Sequence, residues 1–131
     1  MKRLSVLCVL FFVVCLCYTV EAQTRLPRLT TVYLNQDLDS LATPSEVSMI
    51  PGDTLQFVAE NGDFNILIMK AYKFLRILDD DLKVRIDSST EPKSDKYVVR
   101  NIKEYDTKYS IYCISKNSWP LAPPRIIIKI Q

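Results

Sequence analysis

The chain has 131 residues, with 17 basic and 15 acidic side chains, a formal net charge of +2, two glycines and no histidine. So weak a field, with no long run of one sign, gives no electrostatic case for nucleic acid or an anionic membrane as partner. Without imidazole, the commonest general base and metal ligand is missing as well.

The N-terminus has the three-part form of a secretory signal. Met1-Lys2-Arg3 is basic, Leu4 to Leu16 is almost wholly apolar, and Val20-Glu21-Ala22 precedes a suitable cleavage point. Residues 1–22 are therefore expected to be a signal peptide cleaved after Ala22, and residues 23–131 a single domain, secreted or periplasmic. The apolar run is short for a stable membrane span, so none is expected after cleavage. Cys8, Cys15 and Cys17 leave with the signal. Cys113 is then a lone thiol with no intramolecular disulfide partner; it is buried, used, or paired between chains, and burial is the commonest fate of such a residue.

Along the mature chain, Gln23–Pro27 reads as a loose lead-in and Leu29–Leu34 as a β-branched, aromatic first strand. Asn35–Pro44 reads as a loop, with a helical turn beginning at Asp37. Val47 and Met49 lie on a short strand ending in the turn Pro51-Gly52-Asp53. Thr54–Glu60 alternates, with Leu55 and Phe57 on one face and Gln56 on the other. Asn61-Gly62-Asp63 makes a second turn. The nearly continuous apolar run Phe64–Met69 predicts a strand covered on both sides.

Ala71–Leu78 fits either a short helix or a strand, with its composition favouring irregular or helical chain. Asp79–Asp81 forms a solvated turn before the strictly alternating strand Leu82–Ile86. Ser88–Lys96 reads as an exposed loop, Tyr97–Val99 as a strand, Ile102–Lys108 as a corner and Thr107–Ile114 as a central strand. Three prolines keep Ser115–Pro124 outside any sheet interior, and Arg125–Ile130 closes the domain. Seven or eight short strands with no long helix predict an all-β, two-sheet Greek-key sandwich. The short linkers argue against parallel pairs, which need long crossovers.

Two segments resemble the cupredoxin family, the small copper β-sandwiches that include plastocyanin. Met49-Ile-Pro-Gly-Asp-Thr-Leu-Gln-Phe-Val58 is similar to the family's early strand, turn and strand, and Tyr109-Ser-Ile-Tyr-Cys113 to the strand that delivers its copper thiolate. The resemblance implies a cupredoxin-like fold, with copper ligands at Cys113, at the position of Asn65 and at that of Lys116. The family has histidine at the last two positions. Blue copper needs two imidazoles beside the thiolate, and an ammonium group repels a metal ion. The resemblance therefore implies the scaffold without its copper, and no cofactor is expected. The immunoglobulin sandwich is the poorer likeness: Ile111 stands where its tyrosine would be, and the partner cysteine is missing.

No catalytic residue is expected, because Cys113 has no histidine to activate it. Asp79, Asp80 and Asp81 lack the spacing and central glycine of a calcium loop. Tyr109, Phe57 and Tyr33 are read as core rather than as stacking platforms. The candidate contact loop is Lys116, Asn117, Trp119 and Leu121, which holds the only tryptophan at one end of the expected sandwich. Two roles are open for Trp119, partner contact or a cap on the core. The functional reading is a non-catalytic binding or structural module for an unknown protein or glycan partner. The alternative is a metal-binding or electron-transfer protein using Cys113 with non-histidine ligands.

Overall fold

A computed structural model describes residues 25–130, so the expected signal peptide lies outside the described residues. Ten strands follow in chain order: β1 Leu29–Asn35, β2 Ala42–Thr43, β3 Glu46–Met49, β4 Thr54–Asn61, β5 Asp63–Ile68, β6 Leu82–Asp87, β7 Tyr97–Val98, β8 Tyr105–Lys108, β9 Ser110–Cys113 and β10 Arg125–Ile128. One layer is the sheet β2-β1-β4-β7; the other is formed by β3-β10-β8 and β6-β5-β9. These last two sheets share one chain path, since only Tyr109 separates β8 from β9. Among the described residues, no helix is long and apolar enough to cross a membrane.

The alternation of the sequence explains how the layers meet. Val32 and Leu34, Leu55, Phe57 and Ala59, Phe64, Ile66 and Ile68, Ile111 and Cys113, and Ile126 and Ile128 are all buried in one continuous core. Each set is spaced by two, as a half-buried strand requires. Phe57 meets Tyr109 edge to face, with ring centroids 5.7 Å apart. Burial pushes the Tyr109 phenol well above the ordinary tyrosine value.

The chain passes from one layer to the other at Gly62, between β4 and β5. Its φ of +113° is open to glycine, and a Cβ there would lie 3.1 Å from both Gln36 Cβ and Phe64 Cζ. The Asn61-Gly62-Asp63 turn thus joins strands that do not pair with each other.

Several expectations are corrected. Among the described residues there are ten strands rather than seven or eight, because Ala42–Thr43 is a two-residue strand on β1 and the polar stretch Tyr105–Lys108, read as part of a corner, pairs with β10. Two pairs are parallel, β1 with β4 and β3 with β10. The chain from β1 to β4 runs through β3 in the opposite layer, so strands of the sandwich serve as the crossover. Tyr33 is not core; it is 42% exposed.

Of the open segment Ala71–Leu78, only Ala71–Lys73 is helical, a single 3-10 turn. The loop Ser88–Lys96 is mostly exposed but anchored at buried Ser94, whose hydroxyl accepts the Phe57 N–H at 2.9 Å. The lead-in is held rather than loose. Asp53 is fully buried and accepts hydrogen bonds from Arg25 Nη2 at 2.7 Å, the Arg28 N–H at 2.8 Å and the Ile50 N–H at 3.1 Å.

Candidate functional site

β5 was expected to be covered on both faces, yet only one is. Phe64, Ile66 and Ile68 are buried, Asn65 is exposed and Leu67 is half-buried. The outward face of β6-β5-β9 therefore carries two cross-strand rows. Arg85, Asn65 and Tyr112 are in register in one, and Lys83, Leu67 and Ser110 in the other. Neighbouring strands lie about 4.8 Å apart, so the face is about 10 Å wide from β6 to β9.

A wall rises along the β9 side. After Cys113 the chain turns back, and Cys113 and Ser118 bridge through hydrogen bonds of 2.9 and 3.1 Å between their backbones. Asn117 takes the left-handed conformation at φ 50°, which asparagine tolerates better than most residues. Its Oδ1 accepts the Tyr112 hydroxyl. This return sets Trp119 against Tyr112, with ring centroids 4.8 Å apart and planes tilted by 49°. The result is an open groove of about 500 Å³ with Trp119 and Tyr112 on one side, Lys83 and Arg85 on the other, and Asn65, Leu67 and Ser110 among its lining residues.

Two charges border this groove. Arg85 Nη2 pairs with Asp63 Oδ2 at 2.9 Å, and that contact raises the Arg85 pKa above its ordinary value. Lys83 is exposed and makes no ion pair among the described residues.

The four residues of the expected contact loop have different fates. Trp119 is 64% exposed and lines the groove, so it is not a cap on the core. Asn117 supports the wall through Tyr112. Lys116 Nζ is held by Asp37 Oδ1 at 2.7 Å, a bond that keeps the Asp37 carboxyl below its ordinary value. Leu121 is exposed, and its N–H donates to the Asp39 carbonyl at 3.2 Å. Sequence reasoning missed the groove's floor and far side: Leu67, Lys83, Arg85, Ser110 and Tyr112, with Asn65 noted only as a lost ligand position. The outward half of the alternation in β6 and β9 was the signal available.

Cys113 lies elsewhere. It is completely buried on the inward face of β9, opposite Phe64 on β5, and its Sγ is 3.9 Å from Ser115 Oγ. Asn65 projects from the other face of the sheet and Lys116 is bound to Asp37. The three positions that the resemblance would gather around copper are thus dispersed. A thiol beside a hydroxyl lacks the imidazoles that blue copper requires, so the residues present do not fit the ion.

No protein-family model and no curated protein matches the chain. Among solved structures, it is similar to a mutant of amicyanin in its reduced Cu(I) form at pH 4, with a TM-score of 0.47 and 12% identity over 82% of this chain and 88% of that one. It is also similar to an oxidised amicyanin mutant, with a TM-score of 0.46 and 13% identity over 77% of this chain and 82% of the other.

Proposed function

We propose that the chain is an exported, non-catalytic binding module, secreted or periplasmic, and that the outward face of β6-β5-β9 beneath Trp119 is its contact surface. The observation that carries this reading is the exposed Trp119, held at a fixed angle against Tyr112 over a groove floored by strands. An indole kept largely in water contributes little to folding and is well suited to contact. Its packing against Tyr112 on β9, one residue after the Cys113–Ser118 bridge, supports a preformed site, since groups braced by strands are held more firmly than groups on free loops. The buried thiol and the dispersed polar groups around it favour scaffold over chemistry at Cys113.

Trp119→Ala tests the assignment. The melting temperature is expected to fall by no more than about 3 °C, as for other exposed positions, while partner binding is lost. A fall of more than about 10 °C, the signature of a removed core residue, would make Trp119 a structural element and end the reading.

A further inference from the structure

We propose that the groove takes an acidic oligosaccharide, its sugar rings lying on Trp119 and Tyr112 and their carboxylate or sulfate groups turned toward Lys83. This rests on the reading of the groove as a contact surface and adds the chemistry of the occupant.

The two sides of the groove are chemically different. On the β9 side, the faces of Trp119 and Tyr112 offer apolar, π-rich surface, which suits the C–H face of a pyranose ring. Asn65 on β5 and Ser110 on β9 supply an amide and a hydroxyl, each able to donate and accept, as an array of sugar hydroxyls requires. The β6 side is cationic. Arg85 is already engaged by Asp63, whereas Lys83 has no acidic partner among the described residues. No lining residue of the groove is acidic; the aspartates that also neighbour Lys83, namely Asp79, Asp80, Asp81 and Asp95, line a separate cleft.

The dimensions agree. A width of about 10 Å between β6 and β9 and a volume of about 500 Å³ accommodate a short run of rings and leave the groove open for a chain to continue. A neutral polymer would leave Lys83 unused. An acidic peptide such as polyglutamate would satisfy Lys83 but lacks the C–H ring faces that suit the exposed aromatic pair.

The test is calorimetric titration of the mature protein with a hexasaccharide of galacturonic acid, its fully methyl-esterified form, and hexaglutamate. The acidic hexasaccharide is expected to bind at least about tenfold more tightly than the other two. Trp119→Ala is expected to weaken it by at least about tenfold, the scale of an aromatic hot spot. Lys83→Gln, at an exposed position where folding is not at risk, is expected to weaken it about fivefold, the upper range for a surface charge pair, and to flatten its salt dependence.

Equal binding of the acidic and esterified sugars, unaffected by Lys83→Gln, would overturn the charge assignment and leave the groove as a saccharide site. Preferential binding of hexaglutamate would overturn the saccharide assignment and leave the contact surface. Failure of all three ligands to bind would overturn the inference, while the melting behaviour of Trp119→Ala judges the underlying reading separately.

Discussion

Asp53→Ala is expected to destabilise the domain by about 3–5 kcal/mol, the range for losing one partner of a buried, hydrogen-bonded charge. The carboxylate is fully buried and receives three donors: the Arg25 guanidinium and the backbone N–H groups of Arg28 and Ile50. Alanine removes all three acceptor contacts at once. It leaves two backbone donors without a partner and frees the segment that leads into β1. Asp53→Asn should recover only part of the loss, because the amide must turn a donor toward either Arg25 or a backbone N–H. Urea unfolding provides the measurement. A cost under about 1 kcal/mol would mean that β1 enters the sheet without this anchor.

Phe64→Ala is expected to cost a similar amount, about 3–5 kcal/mol from lost burial and the cavity left behind. Phe64 is fully buried and sits one residue before Asn65, in register with Ile86 on β6 and Cys113 on β9. Its ring closes the core beside the Gly62 crossover. Because side chains alternate between faces, anchoring Phe64 inward is what turns Asn65 outward into the groove. Phe64→Leu should retain much of the stability, since an apolar side chain still fills most of the site. Equal loss in the two variants would show that ring shape, rather than apolar volume, governs the position. Neither variant touches a groove residue, so a change in ligand affinity beyond the change in folded fraction would report a shift of the β5 register.

Strands β5, β6 and β8 differ in how far their buried faces could be read from the sequence. Leu82-Lys-Val-Arg-Ile86 has a period of two, so its inward Leu82 and Ile86 and its outward Lys83 and Arg85 were already separable. Phe64–Met69 was misread because Leu67 and Met69 are apolar. In the fold, Leu67 is half-buried beneath the groove and Met69 is 61% exposed, so hydrophobicity alone did not report which face was covered. Tyr105–Lys108 looked like a corner for the opposite reason. Its polar side chains are tolerated because backbone pairing with β10 holds it, assisted by the pair between Arg125 and Asp106.

The candidate site was less legible than the fold. Trp119 stood out as a single tryptophan in a proline-rich loop, but its surroundings come from β5, β6 and β9, which are far apart in the chain and become neighbours only through their register. The parallel pairs were invisible for the same reason. Periodicity specifies which face of a strand is inward, not which strand lies beside it. The resemblance at Cys113 drew attention to the inward face of β9, whereas the accessible groups lie on its outward face.

The most direct measurement is acrylamide quenching of tryptophan fluorescence, because the sequence has one tryptophan and the signal belongs wholly to Trp119. An indole that is 64% exposed is expected to emit at long wavelength in the native protein and to be quenched nearly as efficiently as in the urea-unfolded chain. Blue-shifted native emission, with quenching several times weaker than in the unfolded chain, would place Trp119 inside the domain and contradict the open aromatic groove.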